Sequence, residues 1–331
     1  MSSLRKVLVL GCASLGILVP TALGAGWVWQ RAAAARDLLA HPAPGALHTI
    51  DGRRMHIHCV GEGSPTVVLI AGLTGPGSVM GPLQRAVSGT TRACTYDRPG
   101  LGYSDPIDHP RRAAATAEEL VGLLDAAGIV EPAVLVGHSW GGMLARSVAS
   151  AHPERVAGIV LIDSSHEGEL EAFGLAQAEA PPPEMELGPW LQPLGIPRLF
   201  GLVEQAVQGI PSLSADDKAS MLATSGQSHT ASATLLEWRS LGAELEARTE
   251  PSDLGDLPLI VLVQDGAGPE GLSGKELEVW YRLQGDLAAR SSRGELRGVA
   301  GSGHVIQWDQ PQAVADAVLD VVRGVRADAT P

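Results

Sequence analysis

Four continuous apolar runs constrain this chain more than any other feature: Thr66–Ala71, Ala133–Gly137, Val156–Ile162 and Leu257–Val263. None alternates polar with apolar residues, so none suits a strand with one face in water. Each fits a strand buried on both faces of a parallel sheet. Parallel neighbours need long crossovers, usually helices, and helical patterns fill the gaps at Val79–Ser88, Arg112–Ala127, Trp140–Ala151, Lys275–Ala289 and Ala313–Val325. The alternation predicts a three-layer α/β domain over residues 45–331. In such domains, ligands gather outside the carboxyl ends of the strands. Two further strands, Ala46–Ile50 and Arg54–Val60, flank the turn Asp51-Gly52; the second alternates Met55, Ile57 and Cys59 with His56 and His58.

The alternation breaks between about His166 and Arg248. Ser214-x-x-Asp217 reads as a capping box ahead of Lys218–Thr224. Leu235, Leu236, Leu241 and Leu245 give a helical rhythm, and Pro181-Pro182-Pro183 marks an irregular opening. The segment reads as a helical insertion within the domain. Its larger apolar side chains, Trp190, Leu194, Phe200, Leu202 and Trp238, are expected to form its interior, some facing a substrate.

At the N-terminus Arg5 and Lys6 precede an uncharged stretch, Val7–Trp29, of 23 residues. About 20 apolar residues suffice to cross a bilayer, and a basic start favours a cytoplasmic N-terminus. The expectation is a signal anchor over residues 1–30 and a polar stalk over 31–44. The domain is then carried outside the cytoplasm at the cell membrane. A signal peptide cleaved near Ala22-Leu23-Gly24, giving a secreted protein, is the alternative, and a buried helix is the third reading. The formal charge of −13 argues against a nucleic-acid partner, which would need a basic stripe. Three cysteines are too few for a disulfide scaffold.

The chemistry concentrates at Gly137-His138-Ser139-Trp140-Gly141-Gly142. A G-x-S-x-G directly after a strand and directly before a helix places the serine on a sharp turn, with glycines where the backbone crowds itself. Serine needs a base to attack. His304 fits best among the ten histidines: it follows the short strand Leu296–Ala300 and the loop Gly301-Ser302-Gly303, and it precedes the last helix. His41 and His48 precede the sheet, His56 and His58 are mid-strand, His152 ends a helix, and His138 is expected to pack inside the turn.

Together with Tyr96-Asp97-Arg98-Pro99-Gly100-Leu101-Gly102-Tyr103-Ser104-Asp105, these motifs resemble the α/β-hydrolase superfamily over roughly residues 45–325, and within it membrane-anchored bacterial hydrolases with a helical lid. The resemblance implies an eight-stranded, mostly parallel sheet, a lid after the sixth strand, and hydrolysis through an acyl-enzyme. It also implies an oxyanion hole from the backbone N–H groups of Trp140 and of a residue in Ala71-Gly72-Leu73-Thr74-Gly75, with Leu73 the candidate. Ala71 departs from the superfamily's usual His-Gly, at little cost where the donor is a backbone N–H. For the triad acid Asp163, at the end of the sixth strand, is preferred, with Asp265 after the seventh as alternative. Asp97 and Arg98 are expected to pair and hold their loop. In the implied sheet order Cys59 and Cys94 lie on neighbouring strands, where either a disulfide or two buried thiols would fit.

The reading is a serine hydrolase acting on small-molecule carboxylic esters or related acyl compounds: Ser139 attacks, His304 shuttles the proton and the acid orients the ring. No metal or organic cofactor is implied. An acyltransferase or peptidase on the same fold is the rival reading, and a non-catalytic binding protein a more distant one; oligomeric state is left open.

Overall fold

The computed structural model describes residues 2–247, 253–266, 272 and 274–329, without the side chains of residues 2–17. Its strands are β1 (Ala46–Ile50), β2 (Arg53–Val60), β3 (Val67–Ile70), β4 (Ala93–Asp97), β5 (Ala133–His138), β6 (Val156–Ile162), β7 (Leu259–Gln264) and β8 (Gly294–Val299). They form a single sheet in the order β1-β2-β4-β3-β5-β6-β7-β8. The β1–β2 and β2–β4 pairs are antiparallel and the remaining pairs parallel. This is the α/β-hydrolase fold.

Helices α1 (Ser2–Ala40), α2 (Gly81–Ser88), α3 (Ala113–Ala126) and α4 (Trp140–Ala151) come before β6. The insertion between β6 and β7 carries α5 (Glu169–Ala172), α6 (Pro183–Leu191), α7 (Ile196–Leu199), α8 (Leu202–Gln208), α9 (Ala215–Ser225) and α10 (Thr230–Ala247). After β7 come α11 (Gly274–Ala289), α12 (Ile306–Asp309) and α13 (Pro311–Asp328). The apolar runs behave as their composition requires: every residue of β3, β5 and β7 is buried. The pleat sends alternate side chains to opposite faces. Val67 and Leu69 pack with α2 and α13 on one face, and Val68 and Ile70 with α3 and α4 on the other. On α13, Val314, Ala317, Val318, Val321 and Val322 fall at i, i+3, i+4, i+7 and i+8, and all are buried.

The end of α1 is attached to the insertion. Gln30, Ala33 and Ala34 are buried, and the Gln30 amide donates to the Gly226 carbonyl at 2.6 Å. Arg198 donates to Gln30 at 3.0 Å and pairs with Asp37 at 2.6 Å. The stretch beyond Gln30, expected as a stalk, is therefore helical to Ala40 and packed. The expected anchor Val7–Trp29 falls, as far as Ile17, on side chains outside the described residues, as does Cys12. Among the described residues no helix is long and apolar enough to cross a membrane.

Cys59 and Cys94 stand directly opposite each other on β2 and β4 and form a disulfide. The Ser214–Asp217 capping box opens α9. Trp190, Phe200 and Leu202 correct the expectation of an apolar insertion interior: they are 76%, 64% and 53% exposed. Trp190 and Leu202 lie on α6 and α8 and Phe200 follows the end of α7, and these helices are too short to bury a continuous face.

Candidate active site

Ser139 is the hinge between β5 and α4, at φ 51°, ψ −120°. A non-glycine residue there carries backbone strain of about 1–3 kcal/mol, which only a well-packed surrounding sustains. The surrounding is tight. A Cβ on Gly137 would overlap the Gly141 backbone, and one on Gly141 would overlap the carbonyls of Ile70 and Ala71. Hydrogen bonds fix the turn: Ser139 N–H donates to Ile162 O at 3.0 Å, and Ser139 O accepts from Gly142 N–H at 2.9 Å and Ser165 N–H at 3.1 Å. The side chain is left partly exposed at the carboxyl edge of the sheet.

The two candidate acids are put to different uses. Asp163, just past β6, is fully buried at φ 43°. One carboxylate oxygen accepts from His304 Nδ1 at 2.7 Å and Gln264 Nε2 at 2.8 Å. The other accepts from Trp280 Nε1 at 2.7 Å and Gln264 N–H at 3.1 Å. Four donors compensate the buried charge. With Nδ1 donating to Asp163, Nε2 of His304 is left as the basic nitrogen. Asp265 instead accepts from the N–H groups of Gly301 and Ser302, at 2.7 and 3.0 Å, bracing the loop that delivers His304. Gln264 and Trp280 were not singled out from the sequence. Gln264 had a signal, being a polar residue at the end of an apolar strand; Trp280 had none.

His138 packs, as expected, and also bonds: Nε2 donates to the His304 carbonyl at 3.0 Å, with ring centroids 4.8 Å apart. Burial, then the neighbouring His304, pushes its pKa down to about 3, so it is neutral at physiological pH. The loop after Asp163 is tied down by buried charge. Arg146 donates to Ser164 Oγ at 2.8 Å and Ser165 O at 3.0 Å, and it pairs with Glu167 at 2.9 Å, as does Arg290. Burial alone would raise the Glu167 carboxyl, but the two guanidiniums hold it at about 2.

Asp97 and Arg98, expected to pair with each other, do not. Consecutive residues along extended chain point to opposite sides. The Asp97 carboxylate accepts from His56 Nδ1 at 2.7 Å and from the N–H groups of Gly77 and Tyr103 at 2.6 and 2.9 Å. Arg98 turns the other way, to the loop Ala71–Gly75 and to Glu237 on α10. Among the described residues, the N–H groups of Leu73 and Trp140 have no acceptor.

Ser139, His304 and Leu73 line one cavity of about 950 Å³ beneath the insertion, whose walls include Met185, Val207, Met221 and Trp238. Its lining is predominantly apolar with a smaller number of polar groups, the usual make-up of a small-molecule site.

The family profile for the alpha/beta hydrolase family matches residues 67–317, and the chain belongs to this family. Among known proteins, it is 30% identical over 191 residues to an uncharacterised protein of Schizosaccharomyces pombe, covering 49% of this chain and 35% of that protein. It is 42% identical over 117 residues to a 2-hydroxymuconate semialdehyde hydrolase of Pseudomonas putida, covering 34% of this chain and 41% of the hydrolase. The chain thus spans less than half the length of these two relatives. Among solved structures, a thermophilic esterase from Thermogutta terrifontis superposes with a TM-score of 0.57 at 20% identity, over 84% of this chain and 97% of the esterase.

Proposed function

We propose that the protein is a serine hydrolase that cleaves carboxylic esters or related acyl substrates through an acyl-enzyme. The observation that carries this reading is the hydrogen bond from His304 Nδ1 to the buried Asp163, with His304 and Ser139 facing the same cavity. Ser139 Oγ attacks the carbonyl carbon as His304 Nε2 takes its proton. The tetrahedral oxyanion is received by the N–H groups of Leu73 and Trp140. His304 then protonates the leaving alkoxide, and a water activated by the same nitrogen releases the acid. Asp163 keeps the imidazole in the required tautomer and stabilises its charged form. The insertion acts as a lid that excludes water, and its apolar lining favours an uncharged acyl group. The name of the Pseudomonas relative supports hydrolysis as the class of reaction, and that of the Thermogutta structure an esterase on this fold.

The test is hydrolysis of p-nitrophenyl esters together with labelling by a fluorophosphonate. The protein should turn over the esters and take the label on Ser139, and Ser139→Ala should lose both, with kcat falling at least about 10³-fold. A folded wild-type protein that neither labels nor hydrolyses refutes the reading.

For location, the uncharged Val7–Trp29 stretch supports an N-terminal membrane anchor with the domain outside the cytoplasm, or secretion after cleavage near Gly24. The Cys59–Cys94 disulfide supports an oxidising compartment. Fractionation of cells expressing the full chain decides: recovery in the cytosol is the result that rejects both.

A further inference from the structure

On helix α10, Glu237, Ser240 and Glu244 follow one another at i, i+3 and i+7, and all three are buried. This stripe docks the insertion on the domain through polar contacts. Glu244 accepts from Arg112 Nε at 2.7 Å and Ala113 N–H at 2.8 Å, and Ser240 accepts from Arg111 N–H at 2.9 Å. Both hold α10 to the start of α3. Glu237 does something else, because its partners belong to the loop beside Ser139. One carboxylate oxygen accepts from the backbone N–H of Thr74 at 2.7 Å and from Arg98 Nη2 at 3.0 Å, and the other from Arg98 Nε. Arg98 in turn donates to the carbonyls of Ala71 and Gly72, each at 2.7 Å. The loop is thereby gripped on both sides of Leu73: the carbonyls before it by Arg98, the N–H after it by Glu237. Thr74 stands at φ 62°, a conformation a non-glycine residue holds only when its surroundings compel it.

We infer that Glu237 is a positioning residue for the oxyanion hole: from the insertion, through Arg98 and the Thr74 N–H, it fixes the peptide that aims the Leu73 N–H at the reacting carbonyl. The inference rests on the serine-hydrolase reading above. Seating of α10 and assembly of the hole then become one event. With α10 displaced, Arg98 would lose its carboxylate, Thr74 its acceptor, and the Leu73 peptide its orientation. Substrate would meet a complete hole only under a seated insertion, which ties the exclusion of water to the availability of transition-state stabilisation. A purely structural ion pair would have no reason to place its second carboxylate lone pair on a backbone N–H adjacent to the donor.

The experiment compares wild type with Glu237→Gln and Glu237→Ala on a short ester, p-nitrophenyl acetate, and on a trifluoromethyl ketone that forms a tetrahedral adduct with the nucleophilic serine. Glu237→Gln keeps size and one acceptor for Thr74 N–H but not the charge opposite Arg98. The expected order of kcat is wild type, then Gln, then Ala, with Ala about 10–10²-fold below wild type and KM changed less than threefold. The ketone's inhibition constant should rise by the same factor that kcat/KM falls, because adduct and transition state share the oxyanion. Unchanged kcat in both variants, or a loss carried by KM alone, overturns the inference. Should the alanine variant not fold, the glutamine variant decides on the same criteria. Failure of the underlying reading would look different: the wild type itself would neither hydrolyse the ester nor bind the ketone.

Discussion

Asp163 Oδ2 lies 2.7 Å from His304 Nδ1, across 141 residues of sequence. The carboxylate comes from the end of β6, the imidazole from the loop after β8, and Gln264 at the end of the intervening β7 donates to the same carboxylate by backbone and side chain. The contact therefore depends on the parallel register of three strands, which presents their ends side by side.

That geometry separates the two aspartates by experiment. Asp163→Asn should lower kcat by about 10³–10⁴-fold, because an amide cannot hold the imidazole tautomer in which Nε2 is basic. Asp265 serves the Gly301 and Ser302 N–H groups with separate oxygens, so Asp265→Asn keeps an acceptor for one of them and should cost less than about tenfold in kcat, with about 1 kcal/mol of stability. Ester turnover and chemical denaturation of the two variants provide the check. Near-wild-type turnover by the Asp163 variant would reject its assignment as the triad acid.

Two carboxyls shortly after Asp163, Glu167 on the loop and Glu169 at the start of α5, should titrate stability with opposite sign. Glu167 is held at about 2, below its ordinary 4.5, so its contribution is present above pH 4.5 and lost as pH falls toward 2; it amounts to about 3 kcal/mol. Burial raises Glu169 to about 7, so its contribution is full below pH 4.5 and is lost as pH rises through 7. In urea melts at several pH values, Glu167→Gln should be destabilised at neutral pH and flatten the acid limb. Glu169→Gln should flatten the slope between pH 5 and 7. Parallel stability curves for variants and wild type would contradict both assignments.

The disulfide should matter for stability and not for chemistry, since it joins β2 to β4 away from the Ser139 cavity. It closes a loop of 35 residues' separation, worth about 3–4 kcal/mol by chain entropy. Cys59→Ala with Cys94→Ala should lower stability by about that amount and leave kcat within twofold. Thiol titration of the unreduced, denatured full chain should find one reactive group, from Cys12; three would mean that the bond does not form.

The fold was legible because both-face burial leaves a mark that composition cannot hide: the four apolar runs have no solvent side, and the strand follows Val156–Ile162 residue for residue and the other three to within two residues at each end. The site was legible where a motif dictates backbone, as at Ser139. It was less so where side-chain direction decides. Asp163 and Asp265 both end strands, and only the three-dimensional placement of His304 tells them apart. Asp97 and Arg98 look like a pair in the sequence, yet the pleat sends them apart. Glu237 was invisible, because the rhythm of α10 in the sequence lies in Leu235, Leu236, Leu241 and Leu245, while the stripe that docks the helix on the domain is Glu237, Ser240 and Glu244.

The cavity's apolar wall predicts how acyl length is sensed. Met221, on α9, is 8% exposed and lines the same cavity as Ser139. Met221→Ala removes most of a flexible side chain and extends the apolar space. Each methylene accommodated in such a pocket is worth about 1–3 kcal/mol of transition-state binding where it fits. The ratio of kcat/KM for p-nitrophenyl decanoate over butyrate should therefore rise about tenfold in the variant. Stability should fall by about 2–5 kcal/mol, from the cavity left in the core that Met221 shares with Val207 and Leu213. Measuring both quantities on the same preparation separates them: an unchanged chain-length profile in a destabilised but folded variant would remove Met221 from the acyl wall and move the acyl group to another part of the cavity.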